Sequence, residues 1–438
     1  MAFYLDPSFF VLLAVAVVGA AWLGLRERPL RTYGLVVSAI FIALLFWDDA
    51  AGALSFLLFL ALSLIATYVL FARPGSRPRF YVGLVLILLP LVTYKLTHSF
   101  GLSADIPSLL GLTGPDVAGV SGAVAGAGGS AGSSAALVAA PGTTAGAPSD
   151  SGGAGILGFM GISYLTFKAL QVLIEMHDGL IQRMRVRDYL AFMLFFPVFT
   201  SGPIDRSRRF LADIEHVPSC DEYAGLLGRG ILLVLLGMVY SMVLAPICHK
   251  GYVPQAWGSG PLGTELLAQV KCAYAYALYL FFDFAGAGFM AMGAGYCLGV
   301  RVPRNFHAPF LATDLKDFWN RWNMTLSFWL RDFVFMRFSR MALKHRWFKS
   351  NLRCAQVGLV LNMLVMGVWH GLVPGYLVYG LYHGLLLAGT EGFEKRPFYK
   401  RHHRSVWFRV VSWFVTLQLV VIGLAIFSGQ MATMLHMG

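Results

Sequence analysis

The chain is 438 residues long, 57% apolar and only 13% charged, where soluble domains carry roughly a quarter charged residues. That balance excludes a string of two or three soluble domains, and several segments approach the ~20 apolar residues that span a hydrocarbon core. The net charge of +12 is gathered into clusters, chiefly at 26–31, 73–79, 182–187, 301–346 and 395–404. In a chain this apolar, such clusters mark cytoplasmic loops rather than a nucleic-acid surface.

The N-terminal stretch Met1-Ala2-Phe3-Tyr4-Leu5-Asp6 has no basic region ahead of its apolar run, so the first span is expected to be retained rather than cleaved. Spans are expected at 9–25, 33–47, 54–71 and 80–94. Basic residues follow the first and third, and Asp48-Asp49 follows the second. That alternation places the N-terminus outside the cytoplasm. Residues 113–155 are almost entirely Gly, Ala, Ser, Val, Thr and Pro, a composition that reads as a flexible extracytoplasmic loop.

A span at 158–176 leads back to Arg183, Arg185 and Arg187. The apolar stretch 189–200 is about a dozen residues and is followed by Arg206, Arg208 and Arg209. A full crossing would strand those arginines outside, so a short re-entrant element with its bend at Gly202-Pro203 is expected. Spans at 226–244 and 262–282 follow, and 290–300 is too short for another. Asp283, set among Phe281, Phe282 and Phe284, reads as a helix cap, an arginine partner or a functional carboxylate.

The segment 301–349 is rich in both charge and aromatics. Thr313 or Asp314 is placed to cap a helix there, and a basic aromatic helix belongs at the membrane interface. On a continuous helix Asn323 falls within an apolar stripe of Trp319, Leu326 and Leu330, where a carboxamide needs hydrogen-bond partners. Spans at 352–369, 376–388 and 406–427 complete about ten crossings.

Two histidines, His370 and His383, belong to apolar segments. An ionisable ring there is costly, and functional use is its default explanation. Trp369 precedes His370 and Gly371 follows it, allowing close backbone approach. Competing chemistries are poorly represented. The chain has no phosphate-cradling loop with lysine, no G-x-S-x-G elbow and no H-E-x-x-H pair. The five cysteines, Cys220, Cys248, Cys272, Cys297 and Cys354, form no C-x-x-C pair, and histidine and carboxylate are not at metal-ligand spacing.

Five stretches occur in order. They are Gly161-Ile162-Ser163-Tyr164-Leu165-Thr166-Phe167, Phe196-Pro197 through Gly202-Pro203-Ile204, Phe282-Asp283-Phe284-Ala285-Gly286, Asp317 through Asp332, and Val368-Trp369-His370-Gly371. In these motifs the chain resembles the membrane-bound O-acyltransferases, in particular their bacterial D-alanyl-transfer and alginate-O-acetylation branches. The runs Asp317 to Trp322 and Tyr379 to Leu385 look most like the D-alanyl branch.

The resemblance implies an all-α polytopic transmembrane bundle of about ten or eleven spans, with re-entrant and interfacial helices. It divides the chain into N-terminal spans (1–97), the low-complexity loop (113–155), an acyltransferase core (158–394) and a C-terminal span and tail (405–438). It implies a catalytic role for His370. Asn323 stands where most bacterial members have histidine, which rules out a two-histidine site and gives Asn323 an orienting, hydrogen-bonding role. Arg321, Trp322, Trp369, Tyr382 and His383 are expected along the substrate tunnel.

No permanently bound cofactor is expected. A phosphopantetheine arm would be supplied by a D-alanyl carrier protein on the cytoplasmic side of a bacterial cell membrane. A small accessory membrane subunit and membrane lipids are the other expected partners, with no nucleic acid. O-acetylation of an exported polysaccharide is the alternative within enzymes, and a transporter or channel without covalent chemistry the alternative outside them.

Overall fold

The computed structural model describes residues 7–72, 76–100, 158–254, 257 and 260–434; the expected loop at 113–155 lies outside the described residues. The described residues form helices and no strand. In chain order the first helices are α1 (Pro7–Gly24), α2 (Arg31–Leu45), α3 (Ala50–Ala72) and α4 (Arg77–Phe100). Next come α5 (Ile162–His177), α6 (Val186–Leu194), α7 (Ser207–Glu215), α8 (Cys220–Met238) and α9 (Leu262–Cys297). Three short helices follow, α10 (Leu315–Trp319), α11 (Met324–Leu330) and α12 (Met336–Lys344). The chain ends with α13 (Asn351–His370), α14 (Pro374–Phe393) and α15 (Val406–Phe427).

Among the described residues, seven helices are long and apolar enough to cross a membrane: α1, α3, α4, α8 with its extension to His249, α9, α13 and α15. The chain is a multi-pass membrane protein. The stretch expected to cross at 33–47 forms the shorter α2, of 15 residues. The expected span at 158–176 becomes α5, in which every residue from Tyr164 to Met176 is buried. That helix is enclosed by protein rather than lipid, which is how it tolerates Lys168, Gln171 and Glu175 along its length. Residues 290–300, too short for a span of their own, belong largely to the last turns of the 36-residue α9.

Charged side chains gather at one end of the bundle and pair across it. Arg31 bonds Asp188 and lies 3.4 Å from Glu215, Arg337 bonds Asp178, and Arg301 bonds Glu222. Arg206 reaches Asp332 at 2.5 Å. These pairs bring Arg31, Arg206, Arg301 and Arg337, from separate parts of the sequence, to the same end.

From that end the chain enters at Arg185, runs through α6 and a short 3₁₀ turn (Phe196–Val198), reaches Thr200, and returns to the charged end at Arg206. This is the expected re-entrant element. It is fixed at both limbs. The Phe196 amide donates to Ser38 Oγ at 3.2 Å, and the Ile204 amide donates to Thr325 Oγ1 at 2.9 Å. The Phe196 ring stacks on Phe41 with centroids 4.0 Å apart.

Two expectations from the sequence are corrected. Among the described residues Asp283 neither caps a helix nor meets an arginine. It lies within α9 and accepts a hydrogen bond from Ser241 Oγ at 3.2 Å, from the π-helical turn Val239–Leu244 that prolongs α8. Asn323 does not occupy the middle of a continuous amphipathic helix. The helix stops at Trp319, and Asn323 takes a left-handed conformation, φ 40°, at the start of α11. Trp319, Leu326 and Leu330 are all buried as the stripe required, but they reach the interior from two helices.

Candidate active site

Helix α13 starts with a side-chain cap, Ser350 Oγ accepting from the Arg353 amide at 3.2 Å. It ends at His370, where Gly371 leaves the helix and Pro374 opens α14. Its 20 residues extend about 30 Å, so His370 lies at the end of the bundle opposite the charged one. The final carbonyls of a helix lack intrahelical donors. That of His370 is taken by Lys95 Nζ from α4 at 2.9 Å, a cation placed at the negative end of the helix dipole.

The His370 ring is walled by aromatic rings. Trp369 lies at 4.6 Å between centroids and Phe427 at 4.8 Å, with Tyr376 at 5.8 Å and Tyr379 at 6.3 Å. Its Nδ1 is buried, with no hydrogen-bond partner among the described residues. Leaving such an atom unpaired costs about 1–3 kcal/mol, an expense that a site meant to receive a polar reactant must carry. Beside it lies a cavity of about 40 Å³ bordered by Lys95, Ser163, Tyr164, Thr200, Trp369 and His370.

Gly161, at the start of α5, holds φ 92°, and a Cβ there would meet the Phe199 carbonyl oxygen at 2.6 Å. A glycine at this position therefore lets the re-entrant tip approach the first turn of α5, which is what brings Thr200 to the cavity.

From His370 a column of rings runs into the bundle. Tyr379 lies 4.7 Å from His383, and His383 lies 5.3 Å from Trp319. Phe318 lies 5.5 Å from Trp319 and stacks on Trp322, also at 5.5 Å. Both ring nitrogens of His383, Trp319 Nε1, Trp369 Nε1 and Asn323 Oδ1 are buried without partners among the described residues. Native interiors leave few such groups. Here several of them gather along one column of rings on α10, α13 and α14.

The break before α11 is built by local hydrogen bonding. Asp314 Oδ1 caps α10 by accepting from the Asp317 amide at 2.8 Å. The Met324 amide donates to the Asn305 carbonyl at 2.8 Å, and Thr325 Oγ1 donates to Asn305 Oδ1 at 2.5 Å. Lys316 Nζ reaches Glu391 at 2.5 Å and Glu394 at 2.6 Å, pinning α10 to the charged end of α14. Burial works against the Lys316 charge, but the two carboxylates outweigh it and hold its pKa above that of an ordinary lysine.

Comparison with known proteins decides what this arrangement belongs to. The model of the MBOAT, membrane-bound O-acyltransferase, family matches residues 40–436. The chain belongs to this family. It is an O-acyltransferase of the membrane. It is 33% identical to the teichoic acid D-alanyltransferase of Bacillus subtilis over 432 residues, 98% of each chain. It is 30% identical to that of Lacticaseibacillus rhamnosus, over 97% of this chain and 96% of the relative. The similarity to a probable alginate O-acetylase of Pseudomonas syringae, 29% identical, spans 62% of this chain and 49% of that protein.

The residues expected in the acyltransferase site fall into three groups. Trp369 and His370 border the cavity. Tyr382 and His383 lie deeper on α14, their rings 5.2 Å apart, with the Tyr382 hydroxyl donating to the Leu419 carbonyl at 2.9 Å. Arg321, Trp322 and Asn323 lie in the turn between α10 and α11. Arg321 Nε donates to Asp317 at 2.7 Å, and the Trp322 ring is enclosed by Phe281, Phe306, Phe310 and Phe318.

No hydrogen bond or ring contact joins Asn323 to His370 among the described residues; Tyr379, His383 and Trp319 lie along the route between them. Lys95, Thr200, Trp319 and Tyr379 were not expected at the site, although Trp319 belonged to the apolar stripe and Tyr379 to the run ending at Leu385. Lys95 stands in the sequence as a lone lysine just after the apolar run at 80–94.

Proposed function

We propose that the protein transfers D-alanine from a carrier-protein thioester to a hydroxyl group of a teichoic acid, with His370 as the general base. The observation that supports this reading is the placement of His370. It ends α13 beside a polar cavity, far from the charged end, and its Nδ1 has no hydrogen-bond partner among the described residues. Its full-length relatives are named for D-alanyl transfer to teichoic acid.

The positive-inside rule makes the charged end cytoplasmic, with the N-terminus outside a bacterial cytoplasmic membrane. A small acidic carrier protein suits that basic face. Its phosphopantetheine arm, the only cofactor the reaction needs, would pass along Trp322, Trp319, His383 and Tyr379 toward His370, with Arg321 at the mouth and Tyr382 and Trp369 along the wall. The acceptor hydroxyl gives its proton to His370 as its oxygen attacks the thioester carbonyl. The carbon–sulfur bond then breaks, and the imidazolium returns the proton to the leaving thiolate. General-base catalysis of this kind contributes roughly 10²–10⁴-fold. Asn323 orients the arm rather than the reacting hydroxyl, and a small accessory membrane subunit and membrane lipids complete the working assembly.

Incubating the protein in lipid nanodiscs with labelled D-alanyl carrier protein and a teichoic-acid acceptor tests this. Label should leave the carrier and appear on the acceptor as an ester, and His370→Ala should abolish that transfer while carrier binding persists. Transfer from an acetyl donor in preference to D-alanyl would favour polysaccharide O-acetylation, the activity named for the relatives of partial coverage.

A further inference from the structure

The cavity beside His370 is electrically one-sided. Lys95 has no carboxylate partner among the described residues; its ammonium spends one hydrogen on the His370 carbonyl and keeps two. Among the described residues no Asp or Glu borders the cavity. Its wall is formed by the first turn of α5, Gly161 to Tyr164, and α5 is a 16-residue helix. The Ile162 amide donates to the Phe159 carbonyl at 3.3 Å; the other amides of a first turn lack intrahelical partners, and the dipole makes that end positive. Backbone N–H groups at a helix N-terminus are a ready site for phosphate and other anions. Thr200, only 5% exposed, supplies an independent sign of a missing ligand. The residue borders the same cavity, and its Oγ1 is buried with no partner among the described residues.

We propose that this cavity, formed by Lys95, Ser163, Thr200 and the N-terminus of α5, binds a phosphodiester of the acceptor and so presents the neighbouring hydroxyl to His370. The inference rests on the proposed teichoic-acid acceptor, a polyol phosphate, and assigns it a recognition site. A polyol phosphate carries each free hydroxyl within a few bonds of a phosphate. An anion held at Lys95 therefore leaves the hydroxyl near the residue whose carbonyl Lys95 already bonds. Lys95 is a binding residue on this reading, and the acyl-transfer step passes through His370 unaided by it.

An anion could also arise at this place as the oxyanion of the transfer step, and the test separates the two. Full-length protein in nanodiscs, without any acyl donor, is titrated with glycerol 3-phosphate while the fluorescence of Trp369 is followed against a Trp369→Phe control. The parent and Lys95→Arg should show a saturable change, and Lys95→Met and Thr200→Val should weaken binding about tenfold or more. With acyl carrier present, Lys95→Met should raise KM for glycerol 3-phosphate by a similar factor, and by clearly more than it alters KM for glycerol.

Equal loss with glycerol and glycerol 3-phosphate would move Lys95 to the reacting centre and overturn the proposal, as would unaltered binding in Lys95→Met. Because the titration needs no acyl transfer, binding that persists in a protein unable to move D-alanine would defeat the proposed reaction and keep the anion site.

Discussion

The ring of His383 lies directly against Gly423 of α15, where an added Cβ would overlap its Nε2. The ring has no room to withdraw, since Trp319, Tyr379 and Tyr382 enclose it at 5.3, 4.7 and 5.2 Å. The last transmembrane helix therefore sets the position of a histidine in the middle of the ring column. Gly423→Ala is expected to cost about 1–3 kcal/mol through overpacking and to slow transfer. Thermal unfolding and carrier turnover of the same nanodisc sample read the two effects; a parent-like melting point with parent-like turnover would remove His383 from the route.

His370→Gln keeps a polar side chain of similar bulk but cannot take the hydroxyl proton. Turnover should fall roughly 10²–10⁴-fold with carrier affinity unchanged, as single-turnover transfer and a separate carrier-binding titration would report. A loss confined to carrier affinity would reassign His370 to structure.

Asn323 serves two separable purposes. Its φ of 40° is a conformation in which Asn, Asp and His are enriched and alanine is penalised by roughly 1–2 kcal/mol. Asn323→Gly should preserve the fold and reveal what the carboxamide does for transfer, whereas Asn323→Ala should also lower stability. The expected loss of turnover in Asn323→Gly is smaller than in His370→Gln, and parent-like turnover in Asn323→Gly would confine Asn323 to its backbone role.

Arg31 joins α2 to Asp188 of the re-entrant limb, and both side chains are largely sheltered, at 14% and 13% exposed. Arg31→Ala should leave Asp188 without its partner and destabilise the protein by about 1–3 kcal/mol. Protease accessibility near residues 186–206 should rise with it. An unchanged digestion pattern would mean that Ser38 and Thr325 hold the limb without Arg31.

The sequence by itself determined the class of fold, the charged face and the identity of the ring at the heart of the site. These depend on local quantities: apolar run length fixes spans, clustered arginines resist crossing, and the Trp369-His370-Gly371 motif is contiguous. The re-entrant element was legible for the same reason, because its arginines could not be left on the wrong side.

What only the tertiary structure decided depends on chain segments far apart. Lys95 meets the His370 carbonyl although 275 residues separate them, and Thr200 reaches the same cavity through a bend that Gly161 makes room for. The break at Asn323 escaped periodicity analysis because its apolar pattern suits one helix as well as two; hydrogen bonds donated to Asn305 and the side-chain cap at Asp314 decide in favour of two. An interior helix such as α5 looks like a span in sequence, since enclosure by protein and by lipid both demand apolar residues. Only the packing of its neighbours distinguishes them.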